Sequence, residues 1–467
     1  MDTLEHIPDS FRDHIGTIDE NGKRKWVFPH KPSGRLYNYR KYLSYVYLLV
    51  FFGLPFIKVY GEPLFLINIL ERKFILFGMI FWPQDFFIFG LGALIFIVFI
   101  ALFTVIFGRV FCGWACPQTI FMEMLFRRIE YWIDGDANYQ KALKKAPMDS
   151  RKFFKRSVKY ALFFLLSFLI ANTFLAYIIG IDELLKIMTE PPAKHIGGFI
   201  SILLFTGVYF FVYSWFREQV CIIVCPYGRM QGVLLDRDSV IVAYDYVRGE
   251  DRHKFKKNET RTGGDCIDCN LCVKVCPTGI DIRNGTQLEC INCTACIDAC
   301  DHMMESVGLE KGLIRFDSEN GIKNKVKLKF TSRMKAYTAV LLILIGVEAY
   351  LLVSRSDYDA TIIRAKGMLY QEQPDDKVSN LFTIKLVNKT RNTLPVTLKV
   401  EGHPTASIQI IGKQLEVKKE NITQGSFFLY LEKSDIKKRK TELKIGVYSK
   451  GKLIKTVKTN FLGPVEV

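Results

Sequence analysis

Five stretches of this chain, 42–60, 86–107, 160–181, 196–216 and 334–353, are each apolar over about 20 residues, the length that crosses a hydrocarbon core as a helix. In lipid a backbone can satisfy its N–H and C=O groups only within a helix or a closed barrel. A multi-domain membrane protein built on an α-helical bundle of five transmembrane helices is therefore expected. A further apolar stretch, 63–80, is broken by Glu71, Arg72 and Lys73 and is expected to lie at an interface. Mean hydropathy over the 467 residues is only +0.13 because the other segments are polar and basic.

The basic residues orient the bundle. The tail before the first stretch carries Lys23, Arg24, Lys25, Arg35, Arg40 and Lys41. The segment after the second carries eleven, among them Arg127, Arg128, Lys144, Lys145, Arg151 and Arg156, whereas the alternate loops, 61–85 and 182–195, carry two each. Lysine and arginine resist translocation. The net charge of +17 thus reads as a cytoplasmic bias, and no nucleic-acid partner is expected. Residues 1–41 are placed as a cytosolic tail, 42–216 as a four-helix membrane region and 217–333 as a cytosolic domain. Residues 334–353 are the fifth membrane helix and 354–467 a domain on the outer side. The first forty residues are polar and carry Asp and Glu, so no cleavable signal peptide is expected.

All twelve cysteines fall into four groups, and none occurs in the last 167 residues. Such grouping suits cofactor ligation rather than the disulfide framework of a small secreted fold. CIDCNLCVKVCP (266–277) and CINCTACIDAC (290–300) are each C-x2-C-x2-C-x3-C. At this spacing three thiolates wrap one cubane and the fourth swings to its neighbour. One [4Fe–4S] cluster is expected on Cys266, Cys269, Cys272 and Cys300, and a second on Cys290, Cys293, Cys296 and Cys276. Structural zinc also uses C-x2-C pairs, but two complete runs, the first followed by Pro277, favour a ferredoxin-like domain. Asp301 stands where the second run would carry the matching proline.

The other four cysteines lie at the mouths of apolar stretches. FCGWACPQT follows the second stretch with Cys112 and Cys116, and VCIIVCPYG follows the fourth with Cys221 and Cys225. Each unit runs arginine (Arg109, Arg217), cysteine pair, proline (Pro117, Pro226), then an amphipathic stretch. Residues four apart share a helix face, so each pair is expected to point one way and the two pairs to meet. The prolines remove a backbone donor and free the carbonyls of Gly113 and Ile222. Irregular backbone at such depth lines a protein-buried cavity. Soft thiolates select Cu(I), zinc or an iron–sulfur cluster, and a cytosol-facing site disfavours a structural disulfide.

Met122, Met124 and Met230 lie nearby and could serve Cu(I), but by helical phase Met122 and Met230 point away from the cysteines and are read as packing residues. His195, behind PPAK near the outer end of the fourth stretch, is either interfacial or a first contact for an incoming cation. Glu348 is costly in lipid and either snorkels or serves function. Beyond residue 354, the runs LFTIKLVN, PVTLKVEG, SIQIIG, SFFLYLE, ELKIGVYS and KLIKTVKTN alternate between turns rich in Gly, Asn, Pro and Lys. Six or seven strands in about 110 residues suit an all-β, immunoglobulin-like sandwich.

GDCIDCNLCVKVCPTGIDIRNGTQLECINCTACIDACD and GLIRFDSENG (312–321), with GRVFCGWACPQT and EQVCIIVCPYGRMQ, resemble the CcoG (FixG/RdxA-like) family of cytochrome oxidase accessory proteins, membrane-bound polyferredoxins. The likeness runs over nearly the whole chain. Asn270 replaces a glycine often found there, and Asp301 is what this family's pattern leads one to expect. The resemblance implies a cupric reductase of the bacterial inner membrane that supplies Cu(I) for assembly of a cbb-type haem–copper oxidase. Cys112, Cys116, Cys221 and Cys225 would bind the copper or reduce it through a disulfide cycle. A cytosolic electron donor, a copper chaperone or oxidase subunits, and the lipid bilayer are the implied partners. A quinol-linked relay of the NapH type, which lacks the outer domain, and a non-enzymatic assembly scaffold are the alternatives.

Overall fold

The structure, a computed structural model, describes residues 17, 18, 23–82, 85–255, 263–326, 329–365, 367, 369–374, 376–390, 392–412, 415–419, 421–436 and 438–464. Of the tail placed in the cytosol, residues 1–16 and 19–22 lie outside the described residues, as do residues 256–262 of the cysteine-rich domain. The chain divides into two compact units, Met1–Met79 with Asp85–Val347, and Ile80–Gln84 with Glu348–Val467.

The first unit is built on α1 (Arg35–Gly53), α2 (Phe86–Phe107), α3 (Ser150–Ile179) and α4 (Ile196–Phe211), which continues as a π-turn, Val212–Phe216. Among the described residues, four helices are long and apolar enough to cross a membrane: α2, α3, α4 with its π-turn, and the final helix Ser332–Val353. The protein is therefore a multi-pass membrane protein, with four qualifying helices where five were expected.

The stretch that falls short is 42–60. α1 starts in the basic tail and ends at Gly53, because Pro55 opens a single 3-10 turn, Leu54–Phe56. A proline cannot continue the hydrogen-bond ladder, so the apolar run is split between a helix and the irregular chain beyond it. α1 nevertheless reaches both ends of the bundle. Arg40 Nε donates to Gly113 O (2.6 Å) just past α2, and the hydroxyl of Tyr177, in the last turn of α3, donates to Phe51 O (2.8 Å). The interrupted stretch 63–80 folds as a hairpin of β1 (Phe65–Asn68) and β2 (Lys73–Leu76), with Glu71 and Arg72 at its turn. Phe65 packs edge-on against Tyr177 with centroids 5.8 Å apart.

The end of the bundle nearest the thiols is held by buried ions. Arg217 and Glu130, each about 5% exposed in the side chain, form a bidentate pair at 2.7 and 2.8 Å. Glu218 accepts from Arg24 (2.9 Å) and lies 3.5 Å from Arg127, which also pairs with Glu123 (3.1 Å). Lys159 meets Asp134 at 2.5 Å. Against this end sits the cysteine-rich module, with α5 (Pro226–Leu234), β3 (Ile241–Tyr244), α6 (Ala295–Ser306) and β4 (Ile314–Asp317), the strands pairing antiparallel. Val240 N donates to Ile106 O (2.9 Å) and Ser239 Oγ to Val105 O (2.7 Å), seating the module on the last turn of α2. α7 (Ser332–Val353) then leaves the module.

The second unit contains β5 (Tyr358–Arg364), β6 (Lys377–Asn388), β7 (Thr397–Glu401), β8 (Ser407–Ile411), β9 (Ile422–Glu432), β10 (Lys440–Ser449) and β11 (Lys452–Leu462). One antiparallel sheet has the order β8-β9-β6-β5, with the short strand Gln371–Gln373 also on β6, and the other has the order β7-β10-β11. All six expected runs are strands, and β5 was not among them. The sheets share one core in which Ile362, Phe382, Phe427 and Leu429 meet Leu443, Ile445, Val447 and Phe461.

Removing one partner of a buried ion pair strands the other charge at a cost of about 3–5 kcal/mol. Glu130→Ala should therefore lower the unfolding temperature of the detergent-solubilised protein sharply. Glu183→Ala, whose partner Lys186 (3.2 Å) is exposed, should change stability by under about 0.5 kcal/mol. Equal thermal shifts for the two variants would contradict the network's role.

Candidate iron–sulfur and thiol centre

The two cysteine runs fold alike. Asp268 and Asn270 in the first, and Asn292 and Thr294 in the second, all have positive φ, at 50°, 59°, 52° and 68°. These are the residues on either side of the second cysteine in each run, so the two loops repeat one left-handed pattern. Asp and Asn accept that conformation through local hydrogen bonds, but a β-branched residue is strained in it. Thr294 is held there fully buried, its hydroxyl donating to Cys293 O (2.6 Å). Alternation of this kind turns successive amides toward one concave face, the arrangement that cradles anionic and iron–sulfur groups. The amide of Asn292 approaches the Cys290 sulfur and that of Ala295 the Cys293 sulfur.

Cys290, Cys293 and Cys296 lie within electrostatic reach of Cys276, and Cys266, Cys269 and Cys272 within reach of Cys300. The two runs thus lie side by side, Cys296 also lying within reach of Cys272. All twelve cysteines are free thiols. The donor set, two complete four-cysteine runs with amides turned toward their sulfurs, fits cubane clusters.

Near the membrane helices the geometry differs from a simple helical face. Cys112 lies in the short helix Val110–Trp114, but Cys116 is extended (φ −65°, ψ 127°) and opens the next helix at Pro117. Cys221 lies in the π-helix Val220–Val224, and Cys225 is again extended (φ −66°, ψ 109°) ahead of Pro226. In both loops the second cysteine donates its amide five residues back, Cys116 to Phe111 O (2.9 Å) and Cys225 to Val220 O (2.8 Å). Proline breaks the helix between the cysteines, so neither pair shares one α-helical face as expected. The two loops still come together. Cys116 lies within electrostatic reach of Cys225, and Cys221 within reach of Cys116, Cys112 and Cys225. Gln231 of α5 links the loops, its Oε1 accepting from Cys112 Sγ (3.0 Å) and Arg109 Nε (3.0 Å).

Met122 is buried in the aromatic core of the bundle, a packing position as expected, at the edge of a cavity of about 20 Å³ that Cys221 also lines. The π-turn Met122–Phe126 starts at this residue and shifts the helical phase of the residues after it. Met124 is buried, and Met230 is 42% exposed. His195 faces Glu190 (3.2 Å), and Glu348 lies in α7 with Oε2 buried and without a hydrogen-bond partner among the described residues.

The membrane loop and the cluster loop touch through backbone. A β-carbon on Gly113 would stand 2.4 Å from Ile291 O and 2.9 Å from Cys293 Cα, so only glycine fits between Cys112 and Cys116. Cys112, Cys293, Ile291 and Ala295 form one buried cluster. The carbonyl of Gly113, freed by Pro117, is taken by Arg40. Sequence reasoning counted Arg40 as one more basic residue of the tail, and only its position beside the apolar stretch distinguished it.

Comparison with known proteins agrees with this architecture. A 4Fe-4S dicluster domain matches residues 216–319, a 4Fe-4S binding domain matches 89–136, and the IG-like fold at the C-terminal of FixG matches 349–464. Protein RdxA of Cereibacter sphaeroides is 34% identical, over 80% of this chain and 82% of its own. Protein RdxB of the same organism is 32% identical, over 86% and 90%. The chain belongs to the CcoG/FixG family of accessory proteins. Nitrogen fixation protein FixG of Rhizobium meliloti is a further relative, 29% identical over 84% of this chain and 82% of its own. Membership makes this chain a membrane-associated iron–sulfur oxidoreductase with an immunoglobulin-like C-terminal domain.

Burial pushes the Cys112 thiol up to about 11, against the pull of nearby Arg109, and pushes Cys221 up to about 12. These thiols are protonated at neutral pH, and a soft cation must displace their protons to bind. Apparent Cu(I) affinity should therefore rise with pH, by about tenfold per unit for each proton released. Chelator competition between pH 6 and 8 would measure it, and a flat profile would exclude the buried thiols as ligands.

Proposed function

We propose that this chain takes electrons from a cytosolic donor and reduces Cu(II) to Cu(I) at Cys112, Cys116, Cys221 and Cys225, for assembly of a cbb-type oxidase. The observation that carries the reading is the backbone contact of Gly113 with Ile291 and Cys293, which sets the membrane thiols directly against one cysteine run. Cys266, Cys269, Cys272 and Cys300 would hold one [4Fe–4S] cluster, and Cys276, Cys290, Cys293 and Cys296 the other. When bound, each cluster supplies storage and transfer of single electrons, which suits an acceptor that needs one. The thiols favour the softer Cu(I) over Cu(II); Cys112 is buried, and the other three are partly buried. The thiols would act by binding the ion directly or through a disulfide cycle.

The tail and cysteine module would face the cytosol and the immunoglobulin-like domain the periplasm of the bacterial inner membrane. α1, which bridges both ends of the bundle, and the basic residues at the thiol end support a fifth crossing. The outer domain would dock a copper chaperone or oxidase subunits. A second reading comes from the 4Fe-4S binding domain that matches 89–136 and takes in Cys112 and Cys116: the four thiols would hold an iron–sulfur centre of their own.

Anaerobic Cu(II) added to reduced, desalted protein should reoxidise the clusters, restoring their visible absorbance, and release chelatable Cu(I), one per electron lost. Replacing Cys112, Cys116, Cys221 and Cys225 together by Ala should slow that at least about tenfold with iron content unchanged. Identical behaviour of both proteins would refute copper reduction at this site. Iron near twelve rather than about eight atoms per chain would favour the second reading. Removing residues 360–467 should preserve the absorbance and impair oxidase maturation, and unimpaired maturation would dismiss the docking role.

A further inference from the structure

The two cysteine runs repeat each other in backbone, yet the charge around them differs. Two buried guanidinium groups lie against the run that touches the membrane loop. Arg40, 2% exposed, is bonded through Nε to Gly113 O (2.6 Å), while its Nη2 is buried without a hydrogen-bond partner among the described residues. Its field acts on Cys293. Arg109, 3% exposed, donates to Gln231 Oε1 (3.0 Å) and to Leu288 O, and its field reaches Cys290 and Cys112. These partners are neutral amide or carbonyl oxygens. Glu123, the carboxylate that acts on Cys293, is already paired with Arg127 (3.1 Å).

Around the first run the charge is mixed: Arg283 acts on Cys272 as a cation, but carboxylates outnumber it. Arg283 is spanned by Asp268 (2.6 Å) and Asp281 (2.6 Å). Asp301, which accepts from Gly312 N (2.9 Å), adds a further negative charge beside Cys300. A buried cation is costly unless an anion compensates it. At the seam around Gly113, the anion that fits is the thiolate-bound cluster itself, whose potential depends on local charge.

We infer that Arg40 and Arg109 are positioning residues that raise the electron affinity of the cluster on Cys276, Cys290, Cys293 and Cys296 above that of the cluster on Cys266, Cys269, Cys272 and Cys300. The inference rests on the proposed assignment of one cluster to each of these cysteine sets. Reduction adds one negative charge, which neighbouring cations stabilise and neighbouring carboxylates oppose. One electron entering from the cytosolic donor therefore settles on the side of Gly113 and Cys112, one step from its acceptor. The fold directs the electron by charge, with near-identical ligand loops on both sides.

The test is an anaerobic redox titration of the full-length protein in detergent, followed by electron paramagnetic resonance and visible absorbance. Wild type should show two resolved one-electron steps. Arg40→Gln and Arg109→Gln should each lower the upper step alone, by about tenfold in electron affinity, or ~59 mV for a one-electron couple. Arg40→Lys should restore most of it, and Asp301→Asn, on the other run, should raise the lower step. Full iron content with the upper step unmoved in both glutamine variants would overturn the inference and leave the cluster assignment standing. Fewer than about eight irons per wild-type chain would overturn the assignment and the inference with it.

Discussion

Gly113 lies so close to Ile291 and Cys293 that a β-carbon has no room, and much of the thiol end is arranged around that contact. Two loops from distant parts of the chain meet there main chain to main chain. On the membrane side the contact is possible because Gly113, in the short helix Val110–Trp114, carries no side chain. Pro117 and Pro226 supply irregular backbone on the membrane side, and the left-handed residues 268, 270, 292 and 294 supply it on the other. Carbonyls released by the breaks need donors in a site without water, and Arg40 provides one for Gly113.

Holding such loops requires a rigid surround. The packed aromatics Phe121, Phe126, Phe163 and Tyr213 fill the bundle just beneath the cysteines. Phe126 and Tyr213 stack with centroids 4.3 Å apart. Beside them the ions Arg127, Glu218, Arg217 and Glu130 are satisfied mainly by one another. Arg127 also donates to Pro277 O (3.1 Å), so the bundle grips the first cysteine run just after Cys276. Packing and charge act together here: the aromatics exclude water, and its exclusion makes unpaired charge costly.

Much of this was legible in the sequence, and the failures have identifiable causes. Periodicity of two gave six strands, because alternating residues sort directly into core and solvent. β5 went unseen because YDATIIR comes directly after a membrane helix. Cysteine spacing found both cluster runs, since ligand geometry limits which intervals work. Apolar length misjudged 42–60, where Pro55 outweighs hydropathy. Helical phase misplaced the faces of the cysteine pairs, because a proline break or a π-turn shifts every later residue. Gly113 and Arg40 were beyond reach as functional residues, since their importance depends on Ile291 and Cys293, nearly two hundred positions or more away.

One contact sets a sequence of events in biogenesis. α1 has no side-chain cap of its own at Gly34, and the amides of Leu36 and Tyr37 are instead capped by the carboxylate of Asp298 (3.1 and 2.7 Å). Gly34, at φ 141°, leaves space for that carboxylate where a β-carbon would lie 2.4 Å from it. Asp298 sits on α6 between Cys296 and Cys300. Among the described helices, α1 therefore lacks its N-terminal cap until residue 298 has been made and the helix carrying two of the cysteines has folded. The start of α1 is thus latched by the cysteine-rich module, through a carboxylate made more than 260 residues later.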